Sequence, residues 1–177
     1  MKSNRIITCE YADWMKQILN KSKSAFLITF LFKQKKFEGR SLINIMKLNV
    51  TSFYDSVLPI FISKKKKNGN LRYPIFFAAP DLPCARHKKK IKTEYKNNGY
   101  HMHGLICLKE ELGSVDIMKT RILTEFLNIK RRTQIEAIHI HPLDELDKFP
   151  CDYLLKSIGR GGIVYDDIII LEGPSSQ

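Results

Sequence analysis

Two imidazoles stand two residues apart in His101-Met102-His103, ahead of the apolar run Gly104-Leu105-Ile106-Cys107-Leu108. In a strand, residues i and i+2 share a face, so both rings would sit side by side while Met102 enters the opposite layer. Such a pair supplies half of a divalent-metal site and needs a further oxygen or nitrogen donor from a neighbouring strand. Glu94 is the expected donor. It precedes the turn-forming Asn97-Asn98-Gly99, and His101 follows that turn. On their own, the two histidines read first as half-exposed polar positions on a strand, and the carboxylate across the turn is what favours a ligand role. A second pair, His139-Ile140-His141, lies on another predicted strand as ligands, nucleic-acid contacts or surface residues, and Glu136 beside it has the wrong parity for His139.

Tyr153 and Lys156 are three apart in Cys151-Asp152-Tyr153-Leu154-Leu155-Lys156, and on a helix they share a face. A phenol with a pKa of about 10 is a weak nucleophile at neutral pH. A neighbouring ammonium and a metal-polarised phosphate both ease its ionisation and attack. Tyr-x-x-Lys alone also describes a common amphipathic surface pair. Its weight comes from order: basic segment, carboxylate, His-x-His, then Tyr-x-x-Lys about fifty residues on.

The elements that must hold these groups follow from periodicity and punctuation. Helices are predicted over 9–22, 41–57, 114–129 and 144–157. In the third, Ser114 is the cap and Ile117, Ile122 and Phe126 line one face; in the fourth, Pro150 is a shortening influence. Strands are predicted over 25–33, 73–79, 91–96, 100–109, 135–141 and 163–171. A short hairpin in the middle argues for an α+β fold, a central antiparallel sheet of about five strands with flanking helices. Gly159-Arg160-Gly161-Gly162 follows a helix, not a strand, so it is neither a nucleotide-phosphate loop nor a dinucleotide motif. An ATPase or a dehydrogenase is thereby disfavoured.

Composition agrees with one domain over residues 1–177: an N-terminal helix at 9–22, a core of about 24–172 and a short tail at 173–177. The chain has 177 residues, with 44% hydrophobic and 27% charged, a globular balance. The formal net charge is +12. Nine of those charges come from residues 64–96, where Lys64, Lys65, Lys66, Lys67, Arg72, Arg86, Lys88, Lys89, Lys90, Lys92 and Lys96 face only Asp81 and Glu94. Two basic runs flanking the apolar Tyr73–Ala79 segment suit phosphate neutralisation without sequence readout. No long amphipathic helix carries the charge, which argues against a membrane surface. Four scattered cysteines without a CxxC pair fit a reducing cytoplasm.

Taken together, three segments resemble the HUH endonuclease superfamily, specifically its one-tyrosine rolling-circle replication initiators. Phe26-Leu27-Ile28-Thr29-Phe30 looks like the first motif, Tyr100-His101-Met102-His103-Gly104-Leu105-Ile106 like the second and Tyr153-Leu154-Leu155-Lys156 like the third. The resemblance spans residues 26–156. It implies a ferredoxin-like or RNA-recognition-like sheet and a Mg²⁺ or Mn²⁺ held by His101, His103 and an acidic residue, expected to be Glu94. It also implies attack of Tyr153 on single-stranded DNA at a plasmid or phage replication origin, giving a 5′-phosphotyrosine, with Lys156 assisting. No helicase motif follows, so unwinding is expected to need a separate helicase. The helix and Lys run between 41 and 72 have no counterpart in the motif pattern. Alternatives are a one-tyrosine transposase of the same superfamily, a nuclease that uses water, and a non-catalytic binding module offering Tyr73, Phe76, Phe77 and Tyr100 as stacking faces.

Overall fold

The structure, a computed structural model, describes residues 4–33, 39–62, 73–81, 101–109, 114–143, 150–159 and 164–174. In chain order these form α1 (Asn4–Asn20), β1 (Ser24–Phe32), α2 (Gly39–Phe61), β2 (Ile75–Asp81), β3 (His101–Leu108), α3 (Val115–Ile129), β4 (Ile135–Leu143), α4 (Pro150–Gly159), a 3-10 turn (Tyr165–Asp167) and β5 (Ile169–Glu172). The five strands make one antiparallel sheet in the order β4-β1-β3-β2-β5. The segment β1-α2-β2-β3-α3-β4 has the connectivity of a split β-α-β pair, the ferredoxin-like arrangement, and β5 extends it at the β2 edge. The fold is α+β, as expected.

Strand parity divides the core in two. Phe26, Ile28 and Phe30 of β1, Phe76 and Ala78 of β2, and Met102 and Ile106 of β3 face one layer. There they meet Met46, Val50, Phe53, Tyr54 and Val57 of α2 and Met118, Ile122 and Phe126 of α3. The alternate residues, Ala25, Phe77, Ala79, Leu105 and Cys107, face α1 and α4, which bring Ala12, Met15, Cys151, Leu154 and Leu155. Each sheet face is therefore covered by its own helix pair, and the histidines of β3 belong to the α1–α4 side. Gly104 is required where β3 runs between two rings of the α2–α3 layer: a Cβ there would lie 2.7 Å from Phe76 Cε2 and 2.9 Å from Phe30 Cε2.

Several boundaries differ from the sequence reading, each for a physical reason. α2 continues through Pro59 to Phe61, because Val57, Leu58 and Phe61 still bury in the core and offset the one backbone hydrogen bond that the proline removes. α3 starts where predicted, with the Ser114 hydroxyl accepting from the Ile117 amide. Its buried face, however, is Met118, Ile122 and Phe126, one every four residues, while Ile117 is 51% exposed. The helix expected over 144–157 is described from Pro150 to Gly159, with the proline at its first position, where no amide hydrogen is needed. The predicted strand at 163–171 begins instead as the 3-10 turn. The buried Asp167 carboxylate accepts from the Val164 amide and pairs with Arg40 of α2, which holds that turn in place. The predicted strand at 91–96 and the turn at 97–99 lie outside the described residues. Among the described residues, no helix is long and apolar enough to cross a membrane.

Candidate active site

β3 is the central strand, so its register with both neighbours fixes what surrounds the histidines. On one side Asp81 of β2 pairs with His101 and Ala79 with His103. On the other, Leu31 and Thr29 of β1 pair with His101 and His103. Directly opposed residues of an antiparallel pair share a face. The site therefore rests on two adjacent rows: Asp81–His101–Leu31, and Ala79–His103–Thr29.

Within those rows three donor atoms converge. Asp81 Oδ2 is 3.0 Å from His101 Nε2 and 3.3 Å from His103 Nε2, and the two Nε2 atoms are 3.1 Å apart. The imidazole planes stand at 89°, so their ring nitrogens point to a common place instead of stacking past it. This buried Asp81–His101–His103 group can hold a metal ion. Its donor chemistry, one carboxylate and two imidazoles, suits a divalent cation without selecting one. Burial pushes the His103 pKa down; the hydrogen bond to Asp81 opposes this without cancelling it, and the charges of His101 and Lys156 add to the lowering. A lowered pKa favours the neutral imidazole, the form that ligates metal.

α4 lies over β2 and β3 and brings in the other two groups. Leu154 and Leu155 are buried in the layer shared by α1, α4 and the sheet, while Tyr153 and Lys156, three apart on the helix, reach the cluster together. The Tyr153 ring lies 4.5 Å from that of His103, centroid to centroid, at a tilt of 54°. Lys156 Nζ is 2.5 Å from Asp81 Oδ2 and 3.8 Å from the centre of the Tyr153 ring. One ammonium thus spans the carboxylate of the cluster and the π-face of the phenol. Tyr153 remains 43% exposed, open to a ligand arriving from solvent.

Four of the sequence-predicted site residues, His101, His103, Tyr153 and Lys156, are brought together. The third ligand position belongs, among the described residues, to Asp81, which the sequence reading counted only as an acidic residue amid the basic runs. Glu94, the expected donor, lies outside the described residues, as do Lys64, Lys65, Lys66, Lys67, Arg72, Arg86, Lys88, Lys89 and Lys90. The signal for Asp81 was its place at the end of an apolar strand, where antiparallel pairing sets it against the start of the next. His139 and His141 share the site face, but β1 stands between them and the cluster, with Thr29 opposite His139. Both are exposed on β4 and neither belongs to the ligand group. Phe76 and Phe77 are fully buried, so they cannot serve as stacking faces, and Tyr73 is half-buried beside Gly173.

Comparison with known protein families, with curated proteins and with solved structures gave no match. The functional reading therefore rests on the residues and their geometry.

Proposed function

We propose that this chain is a metal-dependent single-stranded DNA nickase and strand-joining enzyme, of the kind that initiates rolling-circle replication of a plasmid or phage. The observation that carries the reading is the position of Tyr153, in ring contact with one candidate metal ligand and under the ammonium that pairs with another. A structural ion pair would not need a half-exposed phenol at its centre.

The chemistry follows from those positions. A divalent cation held by Asp81, His101 and His103, Mg²⁺ or Mn²⁺, would supply Lewis-acid polarisation of a phosphate. Tyr153 Oη attacks the phosphorus as its proton passes to solvent, and the Lys156 ammonium, held beside the ring by Asp81, would offset the negative charge of the phosphate. The Oη–P bond forms as the P–O3′ bond breaks, and the departing 3′-oxygen takes up a proton. A 5′-phosphotyrosine and a free 3′-hydroxyl result. One phosphodiester replaces another, so the reverse attack rejoins an end without ATP. The sequence's net charge of +12 suits a polyanionic substrate.

The test is a denaturing gel with end-labelled single-stranded DNA from the replicon and Mn²⁺. Wild type should give a protein-linked band and Tyr153→Phe none, with DNA binding retained. Cleavage by Tyr153→Phe would point to water as nucleophile and remove the tyrosine from the mechanism.

A further inference from the structure

Thr29 Oγ1 lies 3.0 Å from His103 Nδ1, the ring nitrogen on the far side from the metal-facing Nε2. The contact follows from register: Thr29 on β1 is paired with His103 on β3, so the hydroxyl and the imidazole share one face at adjacent strands. His103 is nearly fully buried, and bulk water cannot replace this partner readily. β1 is otherwise apolar from Ala25 to Phe32. Thr29 is thus the one hydroxyl within that run, set beside the buried ligand.

We infer that Thr29 is a positioning residue for the candidate metal centre, acting through His103. The inference rests on the proposed reading of that centre. A histidine that ligates through Nε2 carries its proton on Nδ1 and needs an acceptor there. Thr29 Oγ1 supplies it. The hydrogen bond fixes both the tautomer and the rotation of the ring about its Cβ–Cγ bond. His103 Nε2 is thereby held toward Asp81 and His101. Without the hydroxyl, the ring keeps its packing under Tyr153 but loses its partner at Nδ1.

Thr29→Val tests this, because valine keeps the β-branched shape that suits a central strand while deleting the oxygen. Mn²⁺ alone is titrated into the full chain and followed by calorimetry or by the electron paramagnetic resonance of free Mn²⁺. Outer-shell partners of ligating histidines commonly contribute about 10- to 100-fold in metal affinity. Thr29→Val should weaken Mn²⁺ binding by that factor, with the circular-dichroism spectrum unchanged and Thr29→Ser restored to near the wild-type value. Equal affinity in wild type and Thr29→Val overturns the inference and leaves the nickase reading standing if the Tyr153-dependent band persists. Weakening by Thr29→Ser as large as by valine also overturns it, since the hydroxyl would not be the operative group. Absence of Mn²⁺ binding in wild type, together with no protein-linked band, removes both.

Discussion

Replacing Gly104 with alanine sets a methyl group between two aromatic rings that are themselves held from behind. The new carbon would be 2.7 Å from Phe76 Cε2, 3.0 Å from Phe76 Cζ and 2.9 Å from Phe30 Cε2. Ordinary contact begins at 3.4 Å, so the Phe76 ring must give by about 0.7 Å. It stacks on Tyr54 at 5.0 Å and 9°, and Phe30 meets Phe53 edge-on at 5.0 Å. Tyr54 in turn donates its hydroxyl to the Pro74 carbonyl. All four rings are fully buried. Over-packing of this kind costs about 1–3 kcal/mol, and two clamped rings place the expectation at about 2–3 kcal/mol. At about 2–4 °C per kcal/mol for a chain this size, Tm should fall by about 4–12 °C in thermal unfolding followed by circular dichroism. The strain should be relieved in part by Phe76→Leu, so a double-mutant cycle should show coupling above about 0.5 kcal/mol. An unchanged Tm for Gly104→Ala, or additivity with Phe76→Leu, would refute the claim that these rings define the space at Gly104.

Asp81→Asn should weaken Mn²⁺ binding at least 10-fold by calorimetry, while Glu94→Gln stays near wild type; the reverse pattern would return the third ligand to Glu94. Burial pushes the Cys107 thiol up to about 12 and the Tyr54 phenol up to about 12. Both groups then hold protons in the folded chain that the unfolded chain releases from about pH 9–10 upward, so stability should fall as pH rises from about 9 to 12. Urea midpoints across that range check this, and a flat profile would contradict it. Iodoacetamide at pH 8 should label the exposed Cys9 and spare buried Cys107 and Cys151, read by peptide mass spectrometry.

The parts of this architecture that were legible in the sequence are those governed by short-range geometry. His101 and His103 share a face because two residues of any strand do, and Tyr153 and Lys156 meet because three residues of any helix bring them round. Ser114 announced its helix through capping chemistry. Asp81 was hidden for the opposite reason. Its partnership with His101 depends on the register between β2 and β3, and those residues are twenty apart in the chain. Turn chemistry at 97–99 drew attention to Glu94 instead. Val164 and Tyr165 are good strand formers and favour a strand over 164–168, whereas the Asp167 carboxylate, tied to the Val164 amide and to Arg40, closes a 3-10 turn there.

The two halves of the site stand on supports of unequal endurance. His101 and His103 lie on β3, which is hydrogen-bonded to a strand on each side and packed on both faces. Tyr153 and Lys156 ride on α4, ten residues long, a length that holds its helical form only while it is docked. Local opening of a docked helix requires less free energy than disruption of a central strand. Under gentle denaturation or warming, Tyr153 and Lys156 should therefore leave first and the Asp81–His101–His103 group remain. On the proposed reading, the expected intermediate is a population that still binds Mn²⁺ but no longer forms a protein–DNA bond. On the proposed reading, metal affinity and strand cleavage would then melt separately although they belong to one centre.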